Sequence, residues 1–272
     1  MKQLKSIDII VLIFLVISLG VYLYSTINPS AFDVFWRREE PELLASDISD
    51  NSVILVNNNQ PVDQLTAYLL HVHTGSTIEY LPDYITQRYV SELKEKDYEQ
   101  VILLGYAARR EHYLESVDPV VISDRTLSAT NRLVNRMIYP AGTHFERAFV
   151  VPISGYIDAL NALPLIKRDK VPLFIFINEN WLPAEVDEYT FGETILIGAN
   201  IPKAYETLPN VKKISGDNRS RTSKAFFEEF YSEEVETPFM VGTSFYDVYQ
   251  MILEKDPEQI LLFPKQPEPP LY

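Results

Sequence analysis

The sequence predicts an α/β protein made of tandem βα repeat units with mostly parallel sheets, preceded by one N-terminal transmembrane helix. Three observations lead there. Val53–Leu70 (VILVNNNQPVDQLTAYLL) and Ala148–Leu165 (AFVVPISGYIDALNALPL) align without a gap, setting Val56 against Val151, Asp63 against Asp158, Leu65 against Leu160 and Leu70 against Leu165. A shorter copy opens at Thr237 (TPFMVGTSFYDVYQMIL), with Asp247 in the same slot. A repeat of this length is one supersecondary unit copied in tandem. From Ser52 onward, short apolar runs alternate with amphipathic stretches, the pattern of parallel βα units. The third observation is Ile9–Leu23 (IIVLIFLVISLGVYL), a run that is apolar almost throughout.

With Ile7 and Tyr24 that run covers about 27 Å as a helix at ~1.5 Å per residue, close to the ~30 Å hydrocarbon core of a bilayer. Lys2 and Lys5 precede it, so the N-terminus is expected in the cytoplasm and the rest outside. No A-x-A site follows the run, which favours a retained signal anchor over a cleaved signal peptide, the main rival reading. Residues 1–27 are read as cytoplasmic N-terminus and anchor, and 28–51 as a linker. Residues 52–147 and 148–236 form the first and second units, and 237–272 a shortened third unit with a Pro-rich tail.

In the first unit, strands are expected at Val53–Asn57, Thr77–Tyr80, Gln100–Leu104 and Val120–Ser123, with helices at Val62–His73, Asp83–Lys96 and Leu127–Tyr139. In the second, strands fall at Ala148–Pro152, Val171–Ile177, Thr194–Gly198 and Val211–Ser215. Its helices fall at Tyr156–Arg168, Ala184–Tyr189, Pro202–Thr207 and Ser220–Tyr231. The third has a strand at Pro238–Gly242, a helix at Phe245–Glu254 and a strand at Gln259–Phe263. The runs VILLG and TILIG are nearly continuous, as expected for flavodoxin- or Rossmann-like strands covered on both faces.

Composition narrows function. The chain carries a formal charge of −14, which argues against nucleic acid as a partner because phosphates would be repelled. It has no cysteine, so disulfides and thiolate metal sites are excluded. His71 and His73 are two apart on a helix and do not share a face, so no metal pair is expected. No P-loop, HExxH, EF-hand loop or GxSxG occurs, and no cofactor is expected.

The second unit contains Ser154-Gly155, Asp158-Ala159-Leu160, Pro164-Leu165, Pro172, Leu182-Pro183, Ile197-Gly198, Ile214-Ser215-Gly216, Arg219 and Thr222. In that order these residues resemble the cell wall-binding repeat 2 family. The first unit matches through Asp63, Leu81-Pro82, Leu104-Gly105, Ile122-Ser123 and Arg125. The resemblance implies an exported bacterial or archaeal surface protein that is held to cell-wall polymers without covalent bonds. Its repeats would pack around a pseudo-threefold axis.

The recurrent Asp63, Asp158 and Asp247 are read as structural carboxylates. Each is expected to accept N–H groups at the opening of a helix, where the helix dipole favours a negative charge. Arg125 and Arg219 are read as equivalent positions before each unit's last helix. They serve either as planar donors to an anionic or hydroxyl-rich polymer or as salt bridges to a neighbouring unit. Lys167 and Arg168 head a basic cluster, which is either a local positive patch or a solvated face.

The function expected is a non-enzymatic, membrane-anchored cell-surface protein. It would contact an envelope polysaccharide, a surface layer or a partner protein, and it would self-associate because the short third unit exposes an apolar face. The alternatives are an exported enzyme of envelope carbohydrate metabolism on a flavodoxin-like scaffold, or an accessory subunit of a membrane complex. Clustered buried carboxylates near Asp158 and Asp217 would favour the enzyme.

Overall fold

Val and Ile dominate the first apolar run, and a β-branched run of this length covered on both faces forms a parallel strand. The computed structural model describes residues 43–176, 188–198, 201–203, 205, 208, 210–231, 239–241 and 244–262. The expected span Ile9–Leu23, most of the linker, most of the Ala184–Tyr189 helix and the Pro-rich tail lie outside the described residues. Among the described residues, no helix is long and apolar enough to cross a membrane.

The first four strands are β1 (Ser52–Asn57), β2 (Thr77–Leu81), β3 (Gln100–Leu104) and β4 (Val120–Ile122), with helices α1 (Pro61–Thr74), α2 (Gln87–Glu95) and α3 (Leu127–Ile138). Then come β5 (His144–Pro152), α4 (Leu163–Asp169), β6 (Leu173–Phe176), β7 (Thr190–Ile197), β8 (Val211–Ile214) and α5 (Arg219–Phe230). The described chain closes with β9 (Phe239–Val241), α6 (Phe245–Lys255) and β10 (Ile260–Leu262).

One four-stranded sheet has the order β2-β1-β3-β4 and the other β6-β5-β7-β8, while β10 pairs with β9. All these pairings are parallel. The fold is therefore α/β with two parallel sheets of the same strand order, in which the chain reverses direction of travel between the first and third strands.

Local signals set the element ends. Pro61 opens α1, where its missing N–H costs nothing, and Gly75 closes it in the left-handed region, donating its N–H to His71 O at 2.8 Å. The helix expected from Asp83 begins instead at Gln87, because Thr86 caps it by accepting Tyr89 N–H at 3.2 Å. The helix expected over Tyr156–Arg168 is broken into a 3₁₀ turn at Asp158–Ala162 followed by α4, and a further 3₁₀ turn at Ile153–Gly155 precedes it. Pro164 is the reason: it cannot donate within a continuous helix and is tolerated only in a first turn. The two central strands of the second sheet, β5 and β7, begin four residues earlier than expected, because His144–Arg147 pairs with Thr190–Glu193 below the apolar run.

Strand alternation divides the interior. Ile54, Val56, Ile102 and Leu104 of one sheet and Phe149, Val151, Ile195 and Ile197 of the other face a single shared core, together with α1, α4 and α6. The opposite faces build separate outer cores: Val53, Leu55, Val101 and Leu103 in the first sheet, and Ala148, Val150, Phe174 and Leu196 in the second. Period-two side chains let each sheet serve two cores at once.

The sheets are tied together by one device used twice. Helix α3 lies over the edge strand β6, and Asn131 Oδ1 accepts Ile175 N–H at 2.9 Å while Asn131 Nδ2 donates to Thr66 Oγ1 at 3.3 Å. Helix α5 lies over β10 in the same way: Ser223 Oγ accepts Leu262 N–H at 2.8 Å and donates to Asn161 Oδ1 at 2.6 Å. All four polar side chains are buried. A second contact joins the sheets at the far end of α1. There the Tyr139 hydroxyl meets His73 Nε2 at 2.8 Å and lies 3.0 Å from Lys170 O. Burial, with the nearby Lys170 charge, pushes the His73 imidazole down to about 4, so the ring is neutral at pH 7.

The edge strand β2 differs from its two counterparts. Ile78 and Tyr80 are half-buried, whereas Leu173 and Ile175 of β6 and Ile260 and Leu262 of β10 are buried. Tyr80 occupies the register position of Ile175, and its hydroxyl donates to Gln64 Oε1 at 3.3 Å and is also hydrogen-bonded to the Gln250 side chain of α6.

Asn131→Ala is expected to lower unfolding free energy by about 2–4 kcal/mol, since it leaves the buried Ile175 N–H without an acceptor. Urea denaturation of the variant checks this, and an unchanged midpoint would show that the tie carries no weight.

Candidate functional site

In an open parallel sheet the ligand crevice lies beyond the strand C-termini, where the order reverses. In the second sheet that place is the gap between β5 and β7, and a cleft of about 180 Å³ opens there. Its walls are Pro152, Ser154, Gly155 and Asp158 after β5, and Asn218, Arg219 and Thr222 at the start of α5.

Each wall has a local cause. Asn218 caps α5 by accepting Arg221 N–H at 3.0 Å, which makes Arg219 the first residue of the helix. The Thr222 hydroxyl accepts Gly216 N–H at 3.0 Å and holds the loop between β8 and α5. Gly198 ends β7 with φ of 121°, a region that suits glycine, and a Cβ there would stand 3.4 Å from Asp158 Oδ2.

Asp158 is 7 % exposed, and its Oδ1 has no hydrogen-bond partner among the described residues. Burial pushes its carboxyl up to about 6, and the Arg219 charge pulls it partly back. Arg219 is exposed and makes no ion pair with another described residue. The cleft is therefore walled by two groups of opposite sign whose charges act on each other.

The helix caps match Thr126 of α3 with Asn218 of α5, and four residues on from each cap Thr130 with Thr222; Thr130 Oγ1 accepts Asp124 N–H at 3.0 Å just as Thr222 accepts Gly216. This corrects the pairing of the two arginines. Arg219 corresponds to Leu127, which packs against the shared core, and Arg125 precedes the cap, at the place held by Asp217 in the second sheet. The misalignment arose because both loops carry an arginine within two residues of the cap, and only the hydrogen bonds show which residue opens the helix.

The recurrent aspartates are structural in a different way from that expected. Asp63 does not cap α1. It is the third residue of that helix, and its Oδ2 accepts Tyr106 N–H at 2.8 Å at the end of β3. Gly105 is required beside it: with φ of 62°, a Cβ there would lie 2.2 Å from the Asp63 carboxyl carbon. The aspartate thus clasps the third strand of its own sheet to the first helix. Asp247 stands at the matching place in α6, but it is exposed, since β9 and β10 are joined by no third strand among the described residues.

Lys167 and Arg168 lie at the C-terminal end of α4, before β6, and are not among the residues lining the cleft. Lys167 pairs with Asp256, and Arg168 makes a two-pronged pair with Asp169 at 2.6 and 2.9 Å. The structure brings Arg219 and Asp158 together and leaves Arg125, Lys167, Arg168 and Asp247 elsewhere. Asp217, named as a partner for Asp158 in an enzymatic reading, is exposed and paired with Arg221, so no carboxylate cluster forms there. No group of three metal-ligating side chains occurs among the described residues.

Asp63 provides a test of the clasp. Burial raises its carboxyl from 3.8 to about 6, so between those pH values the folded chain binds more protons than the unfolded one, and stability falls as pH rises through that window. Asp63→Asn keeps an acceptor for Tyr106 N–H and removes the titration. Relative to wild type, the variant should gain roughly 3 kcal/mol of unfolding free energy between about pH 4 and pH 8. Parallel denaturation curves at the two pH values check it.

No family model and no curated protein matches this sequence. Among solved structures, the chain is similar to Cwp8 from Clostridium difficile, with a TM-score of 0.61 and 16% identity over 89% of this chain and 47% of that one. It is also similar to Cwp6 from Clostridium difficile, with a TM-score of 0.57 and 20% identity over 81% of this chain and 38% of that one. The chain thus spans less than half the length of either, and at these identities the likeness shows the fold.

Proposed function

We propose that this chain is a non-catalytic cell-surface protein. The Ile9–Leu23 span anchors it in the cell membrane, with the C-terminal body outside and in contact with an envelope polymer, a surface layer or a partner protein. The observation that carries this reading is the body itself. Two sheets of one strand order and a third strand pair share a single core, an architecture similar to that of two Clostridium difficile cell wall proteins. The cleft supports a binding role over a catalytic one, because Asp158 is the sole carboxyl and Arg219 the sole cation among its lining residues, with no side-chain nucleophile paired to a base there.

Self-association belongs to the same reading. Ile78 and Tyr80 on edge strand β2 pack against the shared core but form a strip that is only half covered, whereas the matching residues of the other two edge strands are buried.

Protease added outside intact cells should remove the body, and the full chain should sediment with isolated envelope material and be released by soluble wall polymer. Protection from external protease would refute the surface location. Retention on envelope that no polymer competes with would shift the reading to a protein partner. In sedimentation equilibrium the full chain should exceed monomer mass, and Tyr80→Glu should return it towards monomer by placing a charge on the strip.

A further inference from the structure

We propose that two copies of this chain join edge to edge through β2, antiparallel about a two-fold axis at Glu79, so that their four-stranded first sheets form one continuous sheet. This rests on the self-association in the surface reading above and names its geometry.

The direction of the backbone groups carries the argument. In strands that run the same way, residues whose side chains face the same side also point their N–H and C=O groups to the same edge. Phe149 faces the shared core and donates its N–H to Pro172 O, towards β6. Ile175 on β6 faces the same core, so its N–H points out of the sheet, where Asn131 accepts it. Leu262 on β10 sends its N–H to Ser223 in the same way. The first sheet has the same strand order and direction, so Ile78 and Tyr80 aim their N–H and C=O groups outward from its edge. Besides the ladder with β1, the hydrogen bonds that reach Thr77–Leu81 among the described residues end on the side chains of Tyr80 and Glu79.

A second β2 satisfies all four of these backbone groups. The strand Thr77–Leu81 is centred on Glu79, so a two-fold axis there overlaps the two strands along their whole length. Ile78 then exchanges both backbone hydrogen bonds with the partner's Tyr80, and Tyr80 with the partner's Ile78. The core-facing sides of both strands lie on one face of the joined sheet, which lays Ile78 beside the partner's Tyr80 and closes the half-covered strip. Charge is matched as well. Glu79 falls opposite the partner's Glu79, but each carboxylate is already held by the Lys96 ammonium and the Tyr98 hydroxyl, so cations and anions balance across the junction. The strand contains no proline and no core-facing charge, two devices that keep exposed edges apart.

The chain has no cysteine, so one introduced thiol reports one position. Opposed residues at a non-hydrogen-bonded place in an antiparallel pair stand about 4.5 Å apart at Cα, within disulfide range. Under mild oxidation the full chain carrying Glu79→Cys should form covalent dimer about tenfold or more faster than one carrying Val121→Cys, on exposed β4 at the other edge of the sheet. Amide hydrogen exchange of the unaltered full chain in detergent gives an independent reading. Raising its concentration should slow exchange at both Ile78 and Tyr80 and leave Thr77 and Glu79, which face β1, unchanged. Covalent dimer no faster than with Val121→Cys would overturn the proposal, as would exchange at Ile78 and Tyr80 that ignores concentration. Slowing at Tyr80 alone would also overturn it, because that is the mark of a covering helix with a single acceptor, like Asn131 at Ile175. A chain heavier than monomer that gives neither signal would remove this junction and leave self-association standing. A strict monomer would remove both.

Discussion

The edge of a parallel sheet carries unpaired N–H groups, and burying that edge requires a partner for each. Much of this architecture follows from how that requirement is met. The last helix of one sheet lies across the edge strand of the next and offers a short polar side chain, Asn131 or Ser223, to a strand N–H. The same side chain reaches back to the first helix of its own sheet, to Thr66 or Asn161. One residue thus joins three elements, and its length sets how closely helix and strand approach. The shared core can then be apolar throughout, because the polar demands of the edges are met inside the helices that cover it.

A second constraint acts at the other end of each sheet. Asp63 reaches from the first helix to the backbone after β3 and is bought at the cost of a buried carboxylate whose proton affinity rises. Asp158 holds the same place in the second sheet, but the neighbouring positions differ. Asn218 and Arg219 stand where the first sheet has Thr126 and Leu127. A packed junction in one sheet becomes an open cleft in the other, through the exchange of an apolar side chain that folds inward for a cation that stays in water. Repetition supplies the scaffold, and a departure from it supplies the chemistry.

Most of the fold was legible in the residues. Strand runs such as VILV and FVVP, the proline at 61 and the glycine at 75 place β1, α1 and β5 by local physics alone. The break in the helix expected over Tyr156–Arg168 was less legible, although Pro164 carried the signal. Of the candidate site, Asp158 and Arg219 were visible as repeated or motif positions, but their meeting was not. Arg125 and Arg219 were paired as the arginines before each unit's last helix, whereas equivalence depends on which side chain caps the helix, Thr126 or Asn218. The polar ties were missed altogether: a lone Asn or Ser on an apolar helix face reads as an ordinary substitution until the strand N–H that it accepts is in view.

What the sequence determined by itself was periodic: the repeat, the alternation of strand and helix, the parallel sheets and the turn chemistry. These are legible because they arise from contacts between near neighbours in the chain. What only the tertiary structure decided was non-local: the single core shared by both sheets, the two ties across their edges, and the opposition of the Asp158 carboxylate to the Arg219 guanidinium. Those depend on residues some sixty positions apart, such as Asp158 and Arg219, being brought into one place. No local pattern records that approach, because the energy that enforces it is the burial of the common core and not any property of the residues that meet.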